Sequence, residues 1–226
     1  MPDLARVEQD AWSNVAKMTG ASFRGTSLVR GPGARAVGEA LLALGSSTVI
    51  AEELVLDPDR VDPPDDVVDT VVLLHAWDGV AKVDAAARAA TGWLRPGGWL
   101  VLADLDVDNL LSSRPEFYPS ALLYQRFPAT GAYLTSRSTS MVRLVTAAVR
   151  ASLDGKASVG IERPVGVYSS PSELQAAVEF GAWRGLERLT QAEYAELMTA
   201  VSGISVAKWP LVETEPWVVV AGSARV

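Results

Sequence analysis

Two uninterrupted apolar runs constrain this chain more than any other feature. The first lies within Asp69-Thr-Val-Val-Leu-Leu-His75 and the second is Trp99-Leu-Val-Leu-Ala103. Neither alternates polar with apolar residues, so each strand must be covered on both faces, as in a parallel sheet layered between helices. An alanine-rich helix pattern over 80–93 and the turn Arg95-Pro96-Gly97-Gly98 separate the two runs. Upstream the pattern repeats: Ser27-Leu28-Val29, the turn Gly31-Pro32-Gly33, a helix over 34–44 closed by Gly45, then the β-branched run Thr48-Val49-Ile50-Ala51. Strands alternating with helices predict an α/β fold with a doubly wound, mostly parallel, Rossmann-like sheet.

The remaining segments are less uniform. Leu4, Val7, Trp12, Val15 and Met18 recur at roughly helical spacing, which makes 1–25 an N-terminal helical segment. Residues 57–66 hold three prolines and five aspartates and read as a loop. Only 17 positions separate Glu52 from Asp69, whereas a strand–helix–strand unit takes ~30 or more. A helix and a strand are therefore shortened or missing there. Helices are predicted over 140–153, over 172–180 with Ser172 and Gln175 as a capping pair, and over 190–201 with Thr190 and Glu193 in the same relation. Residues 105–170 are otherwise irregular and carry Phe117, Tyr118, Tyr124, Phe127 and Tyr133. Segments 204–209 and 216–221 read as an antiparallel pair at one sheet edge.

Composition excludes several function classes. The 226 residues suit one domain spanning 1–226. Twenty basic against 27 acidic residues give a net charge of −7, which argues against a nucleic-acid or anionic-membrane partner. The absence of cysteine removes disulfides, thiolate metal sites and a cysteine nucleophile. His75 is the only histidine, so a multi-histidine zinc site cannot be built within this chain. Asp104, Asp106 and Asp108 could serve a metal as oxygen ligands, but they read better as a solvated acidic loop, and no metal is expected. No apolar segment reaches the ~18 residues of a membrane span, and the charged N-terminus lacks a signal-peptide stretch. A cytoplasmic protein is expected.

Candidate site residues collect where ligands bind in open α/β sheets, at the carboxyl ends of strands. His75 ends one such strand, as a general base, a substrate contact or a histidine bonded to a backbone carbonyl. Trp77 follows it and could stack on an adenine or an aromatic substrate. Gly31 and Gly33, flanked by Arg30 and Arg35, form a strand-to-helix turn that either faces a ligand or merely carries surface arginines.

The stretch 69–106 resembles the class I S-adenosylmethionine-dependent methyltransferases. Asp69-Thr-Val-Val-Leu-Leu-His75-Ala76 is similar to that family's fourth strand. Leu94-Arg-Pro-Gly-Gly-Trp-Leu-Val-Leu-Ala-Asp104 is similar to its following turn and fifth strand, and the C-terminal antiparallel pair to its last two strands. The resemblance implies a methyltransferase-like fold, S-adenosylmethionine as cofactor, and methyl transfer to a small-molecule substrate. It implies cofactor contacts at Gly31, Gly33, Glu52, Asp69, His75 and Trp77, with Glu52 accepting the ribose hydroxyls. It implies His75 as the catalytic residue and Asp104, Tyr118 and Tyr124 on the substrate, with 105–170 covering it. The sequence departs from the family's pattern in its first third. No carboxylate precedes Gly31, and Arg35 stands where a third glycine is usual. The acid that contacts adenine is left open between Asp57 and Asp62. These departures motivate an alternative, a catalytically inactive partner or scaffold that has lost the cofactor, with a homodimer or other protein partner. A third reading is a non-methylating enzyme that cyclises or rearranges its substrate on the same fold.

Overall fold

The apolar runs do pair as parallel strands. In the computed structural model, which describes residues 3–53, 63–75, 82–204 and 209–225, β1 (Gly25–Arg30) lies between β2 (Ser46–Glu52) and β3 (Val68–Leu74), and β4 (Leu94–Leu105) lies beyond β3. All three pairings are parallel. β6 (Leu211–Ser223) runs antiparallel to β4, and β5 (Asp154–Tyr168) antiparallel to β6, giving the order β2-β1-β3-β4-β6-β5.

Alternation along the strands divides the core in two. Val29, Val72, Leu74, Val101, Ala103 and Val219 face one layer, which includes α1 (Leu4–Thr19) and α2 (Ala34–Ala43). Leu28, Val71, Leu73, Leu100, Leu102 and Val220 face α3 (Val83–Thr91) and α7 (Met141–Arg150) on the other side. Val71 to Leu74 are completely buried, and each such side chain contributes about 1.5–3 kcal/mol of hydrophobic stabilisation. This is why an unbroken apolar run marks the middle of the sheet.

Two expectations need correction. The partner of the last strand is β5, not 204–209; Ile204 and Trp209 lie outside any strand, and 205–208 lie outside the described residues. β5 also falls within 105–170, so that segment is not simply an irregular insertion. It holds α4 (Val107–Ser112), α5 (Ala121–Arg126), α6 (Pro128–Arg137) and α7 before reaching β5. β5 escapes a sequence-based reading because it is an edge strand whose alternating apolar positions are interrupted by Gly155, Gly160, Pro164 and Gly166. Its register shifts between Pro164 and Gly166, the irregular edge setting in which a strand tolerates proline.

The capping motif of α9 (Gln191–Ser202) is as expected: Thr190 and Glu193 each cap the other's backbone. In α8 (Pro171–Glu179) the cap is Ser170, two residues before the expected Ser172, because Pro171 opens the helix. Among the described residues no helix is long and apolar enough to cross a membrane.

Candidate functional site

The exits of β1, β3 and β4 converge at one edge of the sheet. Arg30 is in register with Leu73, and Leu74 with Ala103. Gly31, His75 and Asp104 therefore follow on neighbouring strands. Gly31 has φ +120°, and a Cβ there would lie 1.9 Å from the Leu74 carbonyl oxygen. Only glycine lets the chain leave β1 against the end of β3.

His75 carries the site's distinctive geometry. Its backbone is in the left-handed region, φ +41°, unusual for a side chain of this size. Its N–H donates to Ala103 O at 2.8 Å. Its Nδ1 lies 2.6 Å from Asp104 Oδ1, and Asp104 is fully buried. Oδ1 also accepts from the Leu105 N–H at 2.7 Å, and Oδ2 from the Thr139 N–H at 2.6 Å. With both oxygens acting as acceptors, Nδ1 is the donor, and the lone pair falls on Nε2. A histidine so held can take a proton at Nε2 while the carboxylate stabilises the resulting cation. The sequence points to Asp104 as a substrate contact; its side chain is instead fully buried, its oxygens facing His75 and the Leu105 and Thr139 amides.

The two acids at the end of β2 part company, as neighbours on a strand must. Glu52 pairs with the Nε of buried Arg30, whose guanidinium lies 4.9 Å from the Trp93 ring centre. Both residues line a cavity of about 510 Å³ on an open face of β1 and β2, together with Thr48 and Ile50. Glu53 turns to the glycine turn. Its carboxylate accepts from the Gly33 N–H at 2.8 Å and the Arg35 N–H at 2.9 Å. The Arg35 amide, helped by those of Gly33 and Ala34, holds the Glu53 carboxyl below the usual carboxylate range. The sequence singles out Glu52; parity at a strand end decides between two adjacent acids and is invisible without the register.

Other expected residues fall elsewhere. Asp69 accepts from the Thr26 N–H at 2.7 Å and from Arg95. It sits at the amino end of β3, about 20 Å along the strand from His75 at ~3.3 Å per residue, and so is not brought together with the Gly31–His75–Asp104 edge. Tyr124 is buried and its hydroxyl donates to the Arg184 carbonyl at 3.1 Å; it packs rather than meets substrate. Tyr118 donates to Glu162 at 2.5 Å, and burial raises its phenol. Trp77, Asp57 and Asp62 lie outside the described residues.

A second set of polar residues, which no sequence motif marks, borders the glycine turn. Arg163 of β5 reaches across to it, and Arg184, Glu215 and Trp217 line the same cleft. Deeper in the β6 arm, Glu213 is completely buried. Its carboxylate accepts from the Ser120 N–H at 3.1 Å and Trp183 Nε1 at 3.3 Å, and from Tyr168. Burial pushes its carboxyl up to about 7. Among the described residues no three His, Asp or Glu side chains converge as a metal site requires.

No family model and no curated protein matches the chain. Solved structures do. A candidate methyltransferase of an antibiotic-biosynthesis pathway from Anabaena variabilis matches with a TM-score of 0.62 at 12% identity, over 97% of this chain and 99% of that one. A candidate methyltransferase from Bacillus halodurans gives 0.51 at 11% identity, over 96% and 100%. A cyclopropane-fatty-acyl-phospholipid synthase-like protein from Lactobacillus casei gives 0.51 at 12%, over 97% and 92%. The likeness shows that this chain has the class I methyltransferase fold.

Proposed function

We propose that this protein transfers a methyl group from S-adenosylmethionine to an oxygen or nitrogen of a small molecule, with His75 as general base. The observation that carries the reading is the His75–Asp104 pair set directly against the Gly31 turn. On this fold a methyl donor lies along that turn, so donor and base would meet at one edge of the sheet.

The residues present fit such a donor. Gly31 and Gly33 both have positive φ and leave the turn without side chains. Glu53, rather than Glu52, is the acid beside the turn, and its ionised carboxylate on the Gly33 and Arg35 amides stands in for a ligand. It would move to the ribose hydroxyls. When bound, the cofactor supplies an electrophilic methyl group on a sulfonium. The chain's own residues do the rest. His75 Nε2 accepts the proton of the acceptor, Asp104 keeps the ring in the required tautomer, and the imidazolium later loses its proton to water. A positioned base of this kind contributes about 10²–10⁴-fold.

Titration calorimetry with S-adenosylhomocysteine tests this reading. Binding is expected for the wild type, weakened at least about tenfold by Glu53→Ala, the scale of ~1.4 kcal/mol. His75→Ala should bind unchanged and lose methyl transfer. No binding of S-adenosylmethionine or S-adenosylhomocysteine at millimolar concentration overturns the reading.

One observation favours a second reading, proton-transfer chemistry by the same pair without a methyl donor. The amides that open α2 already hold an anion, Glu53. The same titration separates the two, since the second reading requires no cofactor binding.

A further inference from the structure

A groove between α1 and α2 has a use that the His75–Asp104 pair does not explain. It encloses about 420 Å³, within the ~300–1,000 Å³ typical of ligand sites. Ala36, Ala40 and Ala43 line it at i, i+4 and i+7, one face of α2. Leu4 and Ala5 of α1 and Val165 of β5 add to the apolar lining. From Gly33 to Ala43 the groove follows α2 for about 15 Å at ~1.5 Å per residue. Because α2 carries the chain back to the start of β2, the groove runs from the glycine turn away from the strand exits that hold His75.

One buried cation stands at the Gly33 end of this groove. Arg163 is 7% exposed and lines the groove. Its Nε donates to Glu8 Oε1 at 2.8 Å, and Trp12 Nε1 donates to the same oxygen at 3.0 Å. Its guanidinium lies 4.6 Å from the Trp217 ring centre. Nε and one face of the guanidinium are thus engaged, whereas Nη1 and Nη2 make no hydrogen bond among the described residues. A Cβ on Gly33 would lie 2.9 Å from Nη2, which places these donors beside the start of α2, the positive end of its dipole. Buried donors are ordinarily satisfied. The strand is shaped here as well: the β5–β6 register skips Val165, between Pro164 and Gly166, and a bulge of this kind re-aims the side chains around it.

We infer that this groove binds a carboxylate with an apolar chain, its head on Arg163 Nη1 and Nη2 and its chain along Ala36, Ala40 and Ala43. A guanidinium fork suits a carboxylate's two oxygens. Arg163 then bridges two carboxylates, Glu8 through Nε and the ligand through the Nη edge. Glu8 and Trp217 fix the guanidinium before a ligand arrives, which lowers the ordering cost of binding. Glu39, the other acid of the lining, is exposed. It lies six residues along α2 from Gly33, about 9 Å at ~1.5 Å per residue, so salt screens it from the head. An ammonium head would meet like charge at Arg163. This site does not depend on the methyl-transfer reading.

Titration calorimetry of the full chain with decanoate and decylammonium, both below their micellar concentrations, decides the matter. Decanoate is expected to bind the wild type, and decylammonium at least about tenfold more weakly. Arg163→Gln removes the fork. Ala36→Phe fills the groove from an exposed position on α2, so it guards against misfolding in the first variant. Each should weaken decanoate at least about tenfold. Equal binding of the two amphiphiles, unchanged decanoate affinity in either variant, or no decanoate binding by the wild type overturns the inference. The decanoate titration is then repeated at saturating S-adenosylhomocysteine. Retained binding supports a separate site; lost binding assigns Arg163 to the methyl donor and overturns the inference. If the wild type binds no S-adenosylhomocysteine, the methyl-transfer reading fails, and the decanoate titrations alone support or overturn the groove.

Discussion

His75 occupies a backbone conformation that residues other than glycine seldom adopt. A non-glycine residue in the left-handed region costs on the order of 1–3 kcal/mol, and the surrounding contacts must exceed it. Asp104 supplies them, through His75 Nδ1 and the two backbone amides of Leu105 and Thr139. The pair is therefore a strain lock, besides being the base of the proposed reaction. Replacing Asp104 with Asn turns one acceptor into a donor and leaves a buried N–H facing another. The expected loss is about 1–3 kcal/mol, read as a lower urea midpoint; an unchanged midpoint would show that the pair does not hold the strand ends. His75 was legible in the sequence because it is the sole imidazole and ends an apolar run. Asp104 was legible as a strand-end acid, but its partner was not, since that requires knowing that Leu74 stands beside Ala103.

At the scale of elements, α2 begins on a glycine that offers no side-chain cap, and the missing cap comes from another element. Glu53, just past β2, supplies it. This ties the second strand to the helix after the first, across the turn where a ligand would lie. The carboxyl is held below its ordinary range, so its contribution is present above the unfolded value and lost as pH falls through the folded one. Glu53→Gln should cost about 0.5 kcal/mol at pH 7, a typical helix-terminus charge effect. Urea unfolding should show the difference shrink as pH falls below the ordinary glutamate range; a difference that does not shrink would mean that geometry, not charge, makes the cap. Legibility of elements followed burial. β3 and β4 announced themselves because both faces are covered. β5, with only Ile161, Arg163 and Tyr168 buried and with Pro164 within it, looks like loop in one dimension. The capping box of α9 was readable because it is local: Thr190 and Glu193 need no distant partner.

Over the whole molecule, the sheet is unevenly furnished. Between β2 and β3 the described residues add no strand, and β1 and β2 keep an open face where Arg30 and Glu52 lie. The opposite end is heavily built, with the long β5–β6 arm closing over the glycine turn and burying Glu213 beneath α5 and the Trp183 segment. That burial makes the arm sensitive to pH in a direction opposite to ordinary acid unfolding. The Glu213 carboxyl is raised from 4.5 to about 7, so between those values the folded protein binds more protons than the unfolded chain. Stability is then greatest below about 4.5 as far as this group is concerned, falls as pH rises to about 7, and levels off above it. The full effect is on the order of 3 kcal/mol, because each pH unit of that interval is worth ~1.4 kcal/mol. Glu213→Gln removes the titration and should flatten the decline in urea midpoint between pH 5 and 8, whatever it does to absolute stability. Other acids of this −7 chain contribute equally to both proteins, so the difference in slope isolates Glu213. Parallel slopes would mean that the arm opens enough to hydrate the carboxylate, and that its closure over the site is not what buries the acid.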